Sequence, residues 1–510
     1  MALGRMFHFR SIEDAYITYR CVENFAHGDG LVYNPGERVE AFSNFLFALL
    51  LGLLAKVCCQ PALLAALLNY LALFVMLLLV AHLSLPPPGS GEPSRSPWVA
   101  AAIVGLYPTT LLYVNSGMET IFFSMLMFLG FYLLVQHLER GWPAAPAGAA
   151  LGLAADVRME AALFAVLAAA LAYGFGVGRR RRREPAALLG AFAVVFAPAL
   201  AWRWSYYGYP FPNPYYVKVD GGSLLMFLRG FLYSTGWLFS NPLSLAAIVL
   251  CLTVGRRAAP WRTRSVLFLA WTAAYIAYNC YVGGDYISYG RFFVPLLPLT
   301  AWMLGTLQDD WLARIRRRWP KRRPWRVAAV LYLLAAGWTH FQIMDWAKRR
   351  FEDNLMSQWS RLGVALRDRL PDGKWSFYTL TAGVLPYRLG PRFCVHDALG
   401  LTDPVLAHEF RRMGRGYAGH EKTDPGRVLA LRPSLVFVSF GPLPALDSRR
   451  LAKNAAAWLA SSAGKDARNA LKRAPPNEYR EMTLKNFPDP TIFLVRRDVL
   501  PQLQGLFDPL

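Results

Sequence analysis

Two adjacent acids near the amino terminus, Glu13 and Asp14, are the residues of this sequence best suited to catalysis. They lie in a polar, turn-rich stretch, 11–47, that leads directly into apolar segments. A carboxylate at a membrane surface is costly to place there without a role. Held within hydrogen-bond reach of a hydroxyl group, it can act as a general base. The structural alternative is a capping box, because Ser11-x-x-Asp14 has the spacing that opens a helix.

Two cations are suited to binding a phosphate group. Arg158 lies at the junction of two short apolar helices, where a charge must face a cavity or a partner. Its guanidinium group matches phosphate oxygens, and its depth ranks it first among the cations. The alternative is an internal ion pair with Asp156 or Glu160. Lys218 ends an aromatic, proline-rich segment, whose rings predict either a membrane-interface belt or a surface that stacks on sugars.

A polar loop between two apolar segments carries Asp285 directly after two glycines. A Gly-Gly turn lets a ligand approach the backbone closely. The alternative is a plain loop in which Asp285 pairs with Arg291, at the start of the next helix. Further along, His420 and Lys422 belong to the densest polar cluster. That cluster lacks metal-ligand spacing, so exposure on the surface is its default interpretation.

The composition indicates a membrane protein. The chain has 510 residues, of which 55% are hydrophobic, and apolar runs of about 17–23 residues recur between 61 and 341, long enough to cross a bilayer. The net charge of +22 is concentrated in short loops, at 179–183, 256–264 and 314–326. Such runs between spans follow the positive-inside rule. They favour a polytopic inner-membrane protein rather than nucleic-acid binding.

The apolar pattern predicts ten spans, at 61–83, 98–115, 119–138, 143–157, 159–178, 186–206, 236–254, 265–282, 291–308 and 325–343. With the three arginine-rich loops in the cytoplasm, the crossing count places the loops 207–235 and 283–291 outside. The same count places SGMET, 116–120, and everything before residue 61 outside. The short apolar segment Phe42–Lys56 is then an interfacial helix. The acidic pair, this helix and SGMET are expected to face one external cavity.

The predicted fold is an α-helical polytopic membrane protein with about 10–11 transmembrane helices and a carboxy-terminal α/β domain. Residues 1–60 form the external acidic loop and interfacial helix, 61–343 the transmembrane module, and 344–510 the soluble extracytoplasmic domain. Strand patterns in the last part occur at 375–380, 435–440 and 491–495, with helix patterns at 358–370 and 447–463.

An ordered series of motifs gives the chain a family resemblance. The motifs are EDAYITYR, GLVYNPGERVEAFSNFL, SGMET, VRMEA, YYGYPFPNPYYVK, GGDYISYGRFFVPLLP, DALGLTDP and GHEK. In this order the sequence resembles bacterial GT-C membrane glycosyltransferases, and among them mycobacterial terminal arabinofuranosyltransferases and their relatives. The resemblance extends from residue 11 to about residue 425. It is more specific for the family than for the sugar.

The resemblance implies an inverting transfer of a sugar, with arabinofuranose as the expectation, from a polyprenyl-phosphate donor. The acceptor is a hydroxyl group of a cell-envelope glycan, glycolipid or glycoprotein. The family carries its catalytic acid in an Asp-Asp or Glu-Asp pair, which Glu13 and Asp14 match, with Asp14 as the expected base. The candidates for binding the donor phosphate are Arg158, Lys218 and Arg291. The candidates for binding substrate are Asp285, Tyr16, Glu119, Asn213, His420 and Lys422.

The remaining expectations concern partners and location. No metal and no cofactor are assigned, because cations of the protein can stabilise a lipid-phosphate leaving group. The lipid bilayer of the bacterial inner membrane is the expected environment. The family has a helix before its acidic pair, whereas about ten residues precede Ser11 here, so either an upstream span or a poorly active chain is expected. A transporter or a non-enzymatic assembly factor for surface structures is the alternative function, although transport favours acids within spans and these spans are nearly free of them.

Overall fold

A computed structural model supplies the coordinates. The described residues are 11–58, 60–85, 96–176, 178, 180–219, 222–254, 259–285, 287, 290–306, 324–343, 346–410, 413, 419, 421–422, 430–440, 478–489 and 491–509.

Most of the first 343 residues are helical. The helices are α1 (Ala15–His27), α2 (Phe45–Ala55), α3 (Pro61–Leu83), α4 (Ser96–Gly105), α5 (Pro108–Val114), α6 (Thr120–Arg140), α7 (Ala145–Val157), α8 (Ala161–Phe175), α9 (Arg180–Tyr207), α10 (Asn213–Val219), α11 (Leu224–Ser240), α12 (Pro242–Val254) and α13 (Ala259–Val282). A 3₁₀ turn, Arg291–Leu296, continues into helix α14 over 297–306. Helix α15 (Pro324–Ile343) follows. A helix therefore occupies each of the ten predicted segments.

The helices identify a multi-pass membrane protein. Among the described residues, four helices are long and apolar enough to cross a bilayer: α3, α6, α9 and α13. The number rises to six if the bent pairs α4–α5 and α11–α12 each count as one span. Helices α2, α7 and α8 are apolar but shorter. At 11 residues, α2 is too short to cross, which agrees with the expectation that Phe42–Lys56 is not a span.

Proline explains both bends. Pro108 restricts Tyr107 to an extended conformation, with ψ of 135°, so α4 cannot continue directly into α5. The two helices meet at 59°. Helices α11 and α12 meet at 93°, with Asn241 outside the helical region before Pro242. The predicted loop 207–235 therefore contains α10 and much of α11. The predicted span 236–254 missed this part of α11, because α11 and α12 do not share one axis.

Small residues and one buried ion pair hold the bundle together. A Cβ on Gly148 would collide with the backbone oxygen of Leu188, so α7 and α9 pack without an intervening side chain. Arg203 of α9 donates to both carboxylate oxygens of Glu40, at 2.9 and 3.1 Å. Both residues are buried. This pair ties the loop before α2 to the bundle.

The carboxy-terminal region contains a mixed sheet. Helix α16 (Trp346–Arg369) leads into strands β1 (Trp375–Thr379), β2 (Phe393–Asp397), β3 (Leu435–Phe440), β4 (Tyr479–Leu484), β5 (Thr491–Arg496) and β6 (Phe507–Pro509). The short helices α17 (Val384–Leu389) and α18 (Pro404–His408) connect parts of it. The strand order is β2-β1-β3-β5-β4-β6. Strand β1 pairs in parallel with β2 and β3, and the remaining pairs are antiparallel.

Three of the six described strands follow the predicted pattern. Strands β1, β3 and β5 coincide with the predicted runs 375–380, 435–440 and 491–495. The predicted helix 358–370 is the second half of α16. The predicted helix 447–463 lies outside the described residues. One continuous cluster of buried apolar side chains runs from the membrane helices into this sheet, so the two regions pack directly on each other.

Candidate functional site

A cavity of about 150 Å³ lies where the membrane helices meet the carboxy-terminal region. The start of α1, the residues just before α2, the loop before α6, the α7–α8 junction, α10 and the loop after α13 all contribute to its wall. The segments that the sequence analysis placed around one cavity are therefore together. Ionisable residues dominate the polar part of the wall, with the four carboxylates and three cations Asp14, Glu119, Glu160, Asp285, Arg158, Lys218 and Arg291.

Asp14 stands at the start of α1 and lines the cavity. It occupies the N-cap position, yet its side chain makes no capping hydrogen bond, so the capping-box alternative does not describe this residue. Nη1 of Arg291 lies 3.9 Å from Oδ2 of Asp14. The side chain is 18% exposed. A carboxylate in this position can accept a proton from a molecule in the cavity.

Glu13 points in a different direction from Asp14. Its Oε1 accepts hydrogen bonds from the Thr381 hydroxyl group and from the backbone nitrogen of Gly383, the latter at 2.6 Å. It is not part of the cavity wall. Burial raises the pKa of Glu13 to about 7, and the negative charge of Asp14 adds to the increase. The two acids of the pair therefore have different surroundings.

Arg291 connects two acids of the cavity. Its Nε lies 2.8 Å from Oδ2 of Asp285, and both side chains are nearly inaccessible to solvent. The ion pair between Asp285 and Arg291, which the sequence left as an alternative, is therefore formed. Gly283 and Gly284 both have φ of 77°, which favours glycine. They let the chain turn sharply and bring Asp285 back toward Arg291.

Arg158 is held by two carboxylates. Its Nε lies 2.5 Å from Glu160 and its Nη1 3.3 Å from Glu119, while Asn44 donates to Glu119 at 3.0 Å. The guanidinium group also lies 4.7 Å from the centre of the Phe292 ring. The internal pairing with Glu160 is therefore present. Because these acids already neutralise Arg158, its depth alone no longer requires a phosphate partner.

Lys218 lies one helical turn beyond Tyr215 in α10 and lines the same cavity. Burial lowers the pKa of its amine, and the charge of Asp14 is the largest influence in the opposite direction. Its methylene groups pack so tightly against Gly419 that a Cβ there would collide with Cε. The amine is thereby held near the acid at the start of α1.

Among the described candidates for binding substrate, Glu119 and Asp285 line the cavity, whereas Asn213, Tyr16 and Lys422 are not part of its wall. Asn213 donates to the carbonyl oxygens of Gly400 and Leu401, at 3.3 and 3.2 Å. The Tyr16 ring contacts Tyr19 and Tyr387, both at 5.3 Å between ring centres. The buried Lys422 donates to the Ala407 carbonyl oxygen at 2.7 Å. The predicted site residue His420 falls outside the described residues.

Several wall residues were not identified from the sequence. Asn44 and Tyr278 line the cavity, as do Met118 and Phe292. Asn44 and the preceding Ser43 are two polar residues between Phe42 and an apolar helix, which is a detectable signal. Tyr278 gives no such signal, since an aromatic residue near the end of a span is also typical of a membrane-interface belt.

Comparisons with known proteins agree with this architecture at the level of the fold. No protein-family model matches the chain, and no curated protein matches it. Among solved structures, ArnT from Cupriavidus metallidurans bound to undecaprenyl phosphate is similar, with a TM-score of 0.58 and 12% identity, over 100% of this chain and 98% of that one. The chain has the fold of ArnT. The apo structure of the same enzyme gives a TM-score of 0.52 and 14% identity, over 95% and 94% of the two chains.

Proposed function

We propose that this protein is an inverting GT-C glycosyltransferase that uses a polyprenyl-phosphate sugar as donor. The observation that carries the proposal is the cavity itself, where Asp14 stands beside Lys218 and Arg291. One fold-level neighbour was solved with undecaprenyl phosphate bound, which supports a lipid phosphate as the donor group. Arabinofuranose, indicated by the motif series, is the proposed sugar. A hydroxyl group of an envelope glycan, glycolipid or glycoprotein is the proposed acceptor.

Asp14 and the cations of the cavity have different roles in the proposed reaction. The acceptor oxygen attacks the anomeric carbon, and the bond from that carbon to the phosphate oxygen breaks with its electrons going to the phosphate. Asp14 takes the proton of the acceptor hydroxyl group. Cations near the phosphate stabilise the charge that develops on the leaving group. The products are the glycosylated acceptor and the free polyprenyl phosphate.

Lys218, Arg291 and Arg158 are the candidates for this role, and each lies near a carboxylate of the cavity. Arg158 contacts two carboxylates, and Arg291 contacts Asp285 closely. A phosphate at any of these cations therefore has to compete with an acid already in place. Burial lowers the pKa of the Lys218 amine, and a charge-assisted hydrogen bond from a partly buried amine to phosphate is strong.

The test of this function is transfer from a radiolabelled polyprenyl-phosphate pentose by purified protein, with envelope extract as acceptor. Asp14→Asn keeps the shape of the side chain and removes its basicity. We expect turnover to fall about 10²–10⁴-fold, with undecaprenyl phosphate binding retained. Near-normal turnover by this variant excludes Asp14 as the base. No transfer by the wild-type protein from any polyprenyl-phosphate sugar supplied contradicts the function as a whole.

We further propose that the cavity and the carboxy-terminal sheet lie outside the cytoplasm, as the arginine-rich loops suggest. The test is cysteine labelling in intact cells, in a Cys58→Ser background because Cys58 is exposed. Asp372→Cys should react with a membrane-impermeant maleimide, since the Asp372 side chain is fully exposed. Arg182→Cys, at the start of α9, should be protected. Labelling of Arg182→Cys from outside reverses the orientation.

A further inference from the structure

The chain segment on either side of Asp14 is held by the carboxy-terminal region. Glu13 binds the turn between β1 and α17 through Thr381 and Gly383. A Cβ on Gly383 would collide with both the backbone oxygen and Oε1 of Glu13. The turn therefore approaches Glu13 more closely than any side chain at Gly383 would allow.

A second contact holds α1 from its other side. Arg20 is 3% exposed. It donates to three carbonyl oxygens: that of Pro386, that of Gly390 at 3.2 Å and that of Phe393 at 2.7 Å. It also donates to the Tyr33 carbonyl oxygen at 2.8 Å. A buried guanidinium group needs this many acceptors, because an unsatisfied buried charge is costly. Arg20 thus fixes α1 against α17 and β2.

The loop after α1 completes the attachment. The Tyr33 hydroxyl group donates to the Ala382 carbonyl oxygen at 2.6 Å. Asn34 pairs with both backbone groups of Val395, accepting at 2.9 Å and donating at 3.0 Å. Its amide thus takes the place of a neighbouring strand at the edge of β2. We call the contacts of Glu13, Arg20, Tyr33 and Asn34 with residues 381–395 the clamp.

We propose that the clamp positions Asp14 for proton transfer, so that the carboxy-terminal region is a working part of the active site. This inference rests on the proposed function. Glu13 and Arg20 are positioning residues, because they fix the backbone on both sides of Asp14 and contact neither the cavity nor its contents. The phosphate cations Lys218 and Arg291 belong to other segments of the chain. A variant that loosens the clamp should therefore lower turnover and leave the binding of the lipid phosphate unchanged.

The Thr381 hydroxyl group offers a matched pair of variants. Thr381→Val removes the donor to Glu13 and keeps the side-chain shape, whereas Thr381→Ser keeps the hydroxyl group. We expect kcat of Thr381→Val to fall about 10- to 100-fold, because small displacements of a catalytic group are costly. Its Kd for undecaprenyl phosphate should stay within about twofold of the wild-type value, and Thr381→Ser should keep most of the wild-type kcat.

Gly383→Ala should have the same effect as Thr381→Val through collision with Glu13. Gly174→Ala is its control, because no atom lies within 4 Å of the Cβ position at Gly174. Hydrogen exchange provides a readout that is independent of catalysis. Amides of residues 11–27 should exchange faster in Thr381→Val and Gly383→Ala than in the wild-type protein. Their exchange rates should be unchanged in Gly174→Ala.

Three results overturn the inference. The first is a wild-type kcat together with wild-type hydrogen exchange in Thr381→Val, and the second is an equal loss of kcat in Thr381→Val and Thr381→Ser. The third is a loss of undecaprenyl phosphate binding that parallels the loss of kcat. The last result indicates general unfolding. If the wild-type protein transfers no sugar, the proposed function fails on its own. Exchange over residues 11–27 then still decides whether the clamp holds the segment that carries Asp14.

Discussion

Replacing Lys218 with methionine should weaken the binding of undecaprenyl phosphate by about 30- to 150-fold. The variant keeps a side chain of similar length, so its packing against Gly419 is largely preserved. It removes a cation that is partly buried in the cavity wall. The remaining cations of the cavity, Arg158 and Arg291, stay next to their own carboxylates.

The magnitude follows from the charges of the cavity wall. A hydrogen bond to a charged group contributes roughly 1.5–3 kcal/mol. The upper half of that range applies, because four carboxylates face three cations in the wall. Removal of Lys218 increases the excess of negative charge in the wall, which repels the phosphate further. At about 1.4 kcal/mol per factor of ten, a loss of about 2–3 kcal/mol gives the predicted change in Kd.

The assay is titration of protein in nanodiscs with undecaprenyl phosphate. Lys56→Met is the matched control, since Lys56 lies at the exposed end of α2 and away from the cavity. It loses the same charge and should keep the wild-type Kd. Raised salt should weaken the wild-type complex less than it weakens contacts at the surface, because the cavity excludes most of the solvent. Wild-type affinity in Lys218→Met refutes the phosphate assignment.

Three further predictions concern stability. Arg203→Met leaves the buried Glu40 carboxylate without its partner and should destabilise the protein by about 3–5 kcal/mol, seen as a lower unfolding temperature; an unchanged temperature contradicts the buried ion pair. Gly148→Ala should destabilise by about 1–3 kcal/mol through collision between α7 and α9, whereas Gly190→Ala, with open space at its Cβ position, should not; equal effects contradict the close packing. Burial raises the pKa of Glu13 from 4.5 to about 7. Between these two pH values the folded protein therefore binds more protons than the unfolded chain. The stability that protonated Glu13 contributes is lost as the pH rises through this range. Glu13→Gln should therefore flatten the decline in unfolding temperature between about pH 5 and pH 8, and an identical pH dependence in both proteins contradicts the raised pKa.

Much of the fold was predictable because it follows from local patterns. Long apolar runs are sufficient to predict helices at membrane depth, and each of the ten predicted segments is helical. Short β-branched and aromatic runs predicted β1, β3 and β5. The alternation in β4, YREMTL, is polar and weak, and the three-residue strand β6 is too short to give a pattern. These strands depend on their partners in the sheet rather than on their own residues.

The residue types of the candidate site were predictable, and so were its two short-range ion pairs, Arg158 with Glu160 and Arg291 with Asp285. Asp14 and Arg158 were selected because charges beside apolar segments are costly. Lys218 was selected because it ends an aromatic segment, and Asp285 and Arg291 because they lie in and after a Gly-Gly loop between two spans. All five line the cavity. The contacts of Arg158 with Glu119 and of Arg291 with Asp14 depend on the packing of segments far apart in sequence. The different orientation of Glu13 depends on a turn that lies 368 residues away from it. No local pattern carries that information.

The pairing of Asn34 with Val395 spans 361 positions of the chain, which has a consequence for biogenesis. A ribosome that makes about 5–20 residues per second delivers the acidic loop to the membrane well before the strand edge that receives it. During that interval Arg20 and Asn34 have hydrogen-bonding groups without their final partners, so the loop depends on water or on a chaperone. Strand β2 in turn emerges with an open edge, which favours pairing with other chains. Nascent chains arrested before β2 should therefore be recognised by membrane proteases even when every span has been inserted correctly.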